Sequence, residues 1–182
     1  MSFQRVTVQF RSIVTFSCRL PTLAGSDKRI GSFAALALCP VQAVLLVKNL
    51  NQSSPGYQDY LWFQIPFYDS RYQVPPEYAA RDTAGTGKFI YGPSGKTFGE
   101  QRPGDGNWVN IDRDLLPLIR DGLQRAWREN FMTASRDLAD LHVVAFSIGW
   151  ELPGPLVVEM RLHDLSLQAN PRKPTVDEIK KL

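Results

Sequence analysis

The sequence predicts a mainly β protein, an antiparallel two-sheet β-sandwich with one amphipathic helix. Three observations carry that expectation. Several segments alternate apolar and polar residues with period two, the signature of strands with one buried face. Turn-forming residues separate these segments at intervals of roughly 10 to 20 residues. Only one segment, between 112 and 128, repeats its apolar residues with helical period, whereas a parallel α/β fold needs a helix after each strand.

Length and composition set the frame. The 182 residues suit one domain able to bury a full core; the pattern predicts a domain over 1–168 and a charged C-terminal tail over 169–182. No apolar run approaches the roughly 20 residues of a membrane span, so no membrane partner is expected. The 21 basic and 18 acidic residues are interspersed, and their net charge of +3 forms no basic stripe of the kind nucleic acid requires. Met1 to Phe10 alternate where a signal peptide needs a basic start and an apolar run, so the chain reads as cytoplasmic by default. Cys18 and Cys39 are too few and too far apart for a zinc site; they form one disulfide or remain reduced core thiols.

Taken in order, residues 3–16 read as one long strand or two bent ones, with Val6, Val8 and Phe10 on one face and Arg5, Thr7 and Gln9 on the other. Pro21, Gly25 and Gly31 mark a loop. Segments 32–38 and 41–48 read as strands buried on both faces or nearly so. After a polar turn over 49–58 comes the most aromatic strand, with Leu61, Phe63, Ile65 and Phe67 inward and Tyr60, Trp62, Gln64 and Tyr68 on an aromatic and polar outer face. Residues 70–106 are rich in Pro, Gly, Asp and Tyr, a length of loop that often carries function. Lys88–Tyr91 and Trp108–Ile111 are short strand candidates.

Asp112 or Asp114 is expected to cap a helix that holds Pro117 in its first turn. Leu116, Ile119, Leu123 and Ala126 or Trp127 form its packing stripe; Arg120, Asp121, Gln124, Arg125 and Arg128 form its wet face. Ser135 to Asp140 suit one helical turn. A hairpin is expected over 141–167, with Val144, Phe146, Ile148 and Trp150 sharing one face of its first strand and Leu156, Val158, Met160 and Leu162 facing inward on its second.

The strongest chemical constellation is Tyr68, Asp69, Ser70, Arg71 and Tyr72, followed by Glu77, Arg81 and Asp82. Aromatic rings stack on the apolar face of a sugar, and a carboxylate beside a guanidinium fixes its hydroxyls. The same residues would equally make a strand-end ion pair, Asp69 with Arg71 or Arg81, that pins the loop. A second constellation surrounds Trp150 and Glu151: the indole either extends a stacking platform from Trp62 or joins the core with Phe146 and Ile148. Glycoside hydrolysis needs two carboxylates about 5 to 10 Å apart, and Asp69 or Asp82 with Glu151 are formally available. His142 and His163 have no neighbouring imidazole and read as edge or surface residues. The runs Gly85–Lys88 and Gly92–Lys96 lack the spacing and helix of a phosphate loop and read as hairpin turns. Asp82, Asp105, Asp112 and Asp114 match no dedicated calcium loop. No metal or cofactor is expected.

A long first strand, a central aromatic strand, the run Trp108–Val109–Asn110–Ile111–Asp112 before a helix, and a closing strand with Leu162–His163–Asp164–Leu165–Ser166–Leu167 together resemble the galactose-binding-like β-sandwich, the jelly-roll of carbohydrate-binding modules. The resemblance spans residues 3 to 168 and implies a glycan ligand. The expectation is therefore a non-catalytic binding domain for a carbohydrate or other polyhydroxylated ligand, met by Trp62, Tyr68, Asp69, Arg71, Tyr72 and Glu151. The alternatives are a polysaccharide lyase or glycoside hydrolase, with Arg71 neutralising a uronate and Tyr72 or Tyr78 donating a proton, and an assembly domain. Oligomeric state is left open.

Overall fold

The computed structural model describes residues 3–13, 40–99, 108–151 and 160–171. The expected strand over 32–38, both cysteines, Asp105 and the turn over 153–155 lie outside the described residues. Eight strands and one helix follow in order: β1 (Phe3–Ile13), β2 (Val41–Asn49), β3 (Tyr60–Tyr68), β4 (Tyr78–Arg81), β5 (Phe89–Gly92), β6 (Trp108–Asp114), α1 (Leu116–Arg128), β7 (Leu141–Trp150) and β8 (Arg161–Pro171). They form a three-stranded sheet ordered β6-β1-β8 and a five-stranded sheet ordered β4-β5-β3-β2-β7. The protein is thus mainly β with one helix, as its periodicity requires.

The larger sheet is mixed, which corrects the wholly antiparallel expectation. β3 and β5 run parallel, Trp62 opposite Ile90. The cause is the long connection between them: parallel neighbours need a crossover of a dozen or more residues. Here the 69–88 stretch supplies it and places β4 as an antiparallel hairpin partner on the outer side of β5. The 141–167 hairpin does not form. β7 pairs with β2 and β8 with β1, in different sheets.

Strict alternation explains the centre of the molecule. Val41, Ala43, Leu45 and Val47 on β2 and Leu61, Phe63 and Ile65 on β3 are all at most 3% exposed, and the residues between them are half-buried. That is the near-complete burial expected of β2. On β7 a bulge interrupts the alternation, since Leu46 pairs with Ala145 and Val47 with Val143. The extra residue, Val144, is therefore exposed, and Val143 takes its place on the inner face beside Phe146 and Ile148.

Helix α1 covers the apolar face of the five-stranded sheet. Pro117 stands in its first turn, and the Asp114 carboxylate accepts from the Leu116 N–H at 3.1 Å, so Asp114 serves the helix start from one residue before its cap position. Ile119, Leu123 and Ala126 are buried as expected, and the stripe also includes Gly122. At the far end Asn130 adopts φ 63°, and the Phe131 N–H closes on the Ala126 carbonyl at 2.8 Å, the left-handed stop that Asn tolerates.

Gly122 sets how closely the helix approaches. A Cβ there would lie 2.6 Å from Tyr91 Cδ1 and 3.3 Å from Leu61 Cδ2, so the helix backbone rests directly on β3 and β5. A polar latch holds the ends of the sheet's connections. Asn49 Nδ2 donates to Ser54 Oγ at 2.9 Å, while Asp140 accepts from Asn51 Nδ2 and Ser135 Oγ at 2.8 Å each. These donors hold the Asp140 carboxyl below the usual carboxylate range.

Gly122→Ala separates packing from helix propensity. Alanine is the better helix former by about 1 kcal/mol, yet overpacking against Tyr91 is expected to destabilise the protein by roughly 1 to 3 kcal/mol. Urea denaturation gives the sign, and a stabilised variant would show that the helix can lift off the sheet at little cost.

Candidate functional site

The turn after β3 is built from its own sequence. Asp69 follows the last inward residues of the strand and is only 7% exposed. Its carboxylate accepts from the Arg71 backbone N–H at 3.0 Å, and its carbonyl from the Tyr72 N–H at 3.1 Å, so the chain reverses around the Asp69 side chain. Arg71 Nε donates to Oδ1 and Oδ2 at 2.9 and 3.1 Å, and Nη2 donates to Oδ2 as well. This is a side-on pair in which both carboxylate oxygens are used. Burial pushes the Asp69 carboxyl up, but the Arg71 guanidinium, the Arg71 N–H and the cation's charge outweigh it and leave the group below its ordinary range.

Arg71 stays half in water, its side chain 52% exposed. Its guanidinium carbon stands 5.2 Å from the centre of the Tyr72 ring. Tyr72 and Tyr78 are 41% and 51% exposed. Beyond them the loop is tied down: Gly95 N–H and Ser94 Oγ both donate to the Pro75 carbonyl, at 2.8 and 3.2 Å. The run Gly92–Lys96 thus leads into a single 3₁₀ turn, Gly95–Thr97, and not into a hairpin.

Trp62 lies elsewhere. It faces outward from β3, half-buried, and Tyr68 stands six residues further along, which at strand rise is roughly 20 Å away. The Trp62 indole donates to Thr86 Oγ1 at 3.2 Å and meets Tyr60 edge to face at 5.5 Å. Thr86 Oγ1 and N–H in turn donate to Asp82, each at 2.7 Å, and these bonds hold the Asp82 carboxyl below its ordinary range. The run Gly85–Lys88 is the hairpin turn its composition indicates, and Trp62 anchors it. Tyr68 is half-buried and packs against the apolar cluster.

Glu151 reaches the same end of the sheet as Asp69. Tyr68, Val41 and Trp150 stand in register across β3, β2 and β7, which separates the outer strands by about 10 Å. Glu151 Oε1 accepts from Gln42 Nε2 at 3.3 Å on the face turned from the core. Trp150 aligns with Phe146 and Ile148 as its parity demands, but it is 43% exposed at the strand end and contributes little to the core. Of the expected site residues, the structure therefore groups Asp69, Arg71 and Tyr72, places Tyr68 and Glu151 at the same sheet end, and sets Trp62 apart.

One further cluster had no sequence signal. The Trp108 and His163 rings meet edge to face at 5.9 Å although they lie on β6 and β8, and His163 Nδ1 is 3.3 Å from Asp164 Oδ1. Both strands pair with β1, which brings them within reach. His163 is the exposed residue its pattern implies.

No protein-family model matches this chain, and no curated protein resembles it at a significant level. What the fold and site define is a class: a mainly β protein whose mixed five-stranded sheet is backed by one helix and ends in an Asp–Arg turn flanked by exposed tyrosines. No helix among the described residues is long and apolar enough to cross a membrane.

The Asp69 pair is open to a pH test. Its folded carboxyl ionises below the unfolded value of about 3.9. Its contribution is thus complete above that value and lost as pH falls through the lower folded one. Asp69→Asn is expected to cost roughly 1 to 3 kcal/mol at neutral pH, and the gap to wild type should close on acidification. Urea titrations across the acid range read both; a gap independent of pH would mean that the charge contributes nothing.

Proposed function

We propose that this chain is a non-catalytic binding domain for a carbohydrate or other polyhydroxylated ligand, with its principal site at the turn after β3. The observation that carries the reading is Arg71, held by a buried carboxylate while half exposed beside the accessible Tyr72 ring. Sugars present a flat apolar face and a rim of hydroxyls, and rings beside fixed N–H donors match both. Pre-ordering the arginine on Asp69 reduces the entropy lost on binding. Trp62 and Tyr78 face outward on strands two apart, roughly 12 Å from each other, so an extended ligand could touch both.

The non-catalytic half of the reading rests on Asp69. A general acid at neutral pH needs a raised pKa, and this carboxyl is lowered and already engaged at both oxygens. For the fold we propose the galactose-binding-like sandwich, the two sheets facing one another with α1 at one side of the gap. Its support is that Val109 and Ile111 of β6 and Leu167 of β8 join the apolar cluster built by β2 and β3.

Affinity electrophoresis against a panel of soluble polysaccharides tests the function. Retardation by at least one is expected, with Tyr72→Ala and Tyr78→Ala each weakening it by roughly threefold to tenfold. Retardation untouched by either change would move the site elsewhere.

A further inference from the structure

We propose that the ligand of the Arg71 turn is an acidic glycan, bound through the carboxylate of a uronic acid; the inference rests on the carbohydrate reading above and names its substrate class. A guanidinium has two edges that can hold a carboxylate with two parallel N–H bonds. One joins Nε to Nη2, the other Nη1 to Nη2. Asp69 occupies the first edge, through Nε and Nη2. The second edge, with both N–H groups of Nη1 and the other N–H of Nη2, takes no part in that pair. The Arg71 side chain is 52% exposed whereas that of Asp69 is 9% exposed, so the pair leaves a large part of the cation open to solvent beyond the occupied edge.

That edge is fixed in direction as well as exposed. The Arg71 backbone N–H and side chain are bound to the same carboxylate, so the turn and the cation form one rigid unit. The Tyr72 ring lies against the guanidinium at 5.2 Å. A planar pair of N–H donors beside the exposed Tyr72 ring fits a pyranose that bears a carboxylate: the carboxylate meets the donors and the ring's apolar face meets the tyrosine. A lysine could supply charge but not the paired geometry. The chain's net charge of +3 favours approach of a polyanion.

The test uses the intact chain and three probes: polygalacturonate, a neutral glucan of similar length, and dextran sulfate. Binding is read by affinity electrophoresis and calorimetry. Polygalacturonate is expected to bind at least tenfold more tightly than the neutral glucan, and free galacturonate, but not glucose, should compete. Arg71→Lys, checked for folding by circular dichroism, should lose that preference, its affinity for polygalacturonate falling to that for the neutral glucan or below. If the neutral glucan binds as well as the acidic one, or if Arg71→Lys leaves the preference intact, the uronate inference is overturned and the carbohydrate reading stands. Equal binding of dextran sulfate would overturn it too, as general attraction of polyanions. If no polysaccharide binds, the carbohydrate reading itself falls. Competition by the monosaccharides needs no variant and decides the matter even if Arg71→Lys does not fold.

Discussion

The close approach of helix α1 to the five-stranded sheet is the constraint on which the remainder depends. Gly122 lets the helix backbone settle on Tyr91 and Leu61, which a side chain of any size would prevent. With the helix there, the inner residues of β2, β3 and β5 share one dry cluster with Leu115, Ile119 and Leu123. One face of the sheet is thereby committed to the core. Polar side chains on these strands, and Tyr60 and Trp62 with them, are left with the other face or the strand ends.

The turn after β3 shows how a local motif becomes a recognition element. Asp69 and Arg71 are two residues apart, and their pairing needs nothing from the rest of the molecule. Alone it would be a surface ion pair of small worth. What changes its character is the surrounding structure: the strand end buries the carboxylate, and the exposed Tyr72 ring lies against the cation. Trp62 illustrates the reverse. Its indole N–H is spent on Thr86, so its first task is to fasten the β4–β5 turn to the sheet.

Much of this was legible in the residues. The near-complete burial read for 41–48, the alternation from Leu61 to Phe67 and the apolar stripe of Ile119, Leu123 and Ala126 correspond to what the structure buries. Asp69 with Arg71 was legible because the pairing is short-range. Val144 was not, because a bulge is set by the partner strand: only the pairing of Leu46 and Val47 with Ala145 and Val143 leaves an unpaired residue. Trp150 has inward parity, yet it stands where the sheet ends and no neighbour covers it. The contact of Trp108 with His163 has no sequence signal, since both reach it through a third strand.

The sequence by itself determined the longer strands and the helix, and for most of them which side is apolar, because side-chain periodicity is a property of consecutive residues; the short β4 carries no such pattern. It also offered an ion pair for Asp69, with Arg71 or Arg81 as its partner. The tertiary structure alone decided that β7 and β8 part into different sheets, that β5 returns parallel to β3, and that Glu151 comes to the end of β3 where Arg71 lies. The physical reason is that strand order and parallel crossover depend on which backbone edges find each other across long connections. No local pattern encodes that choice.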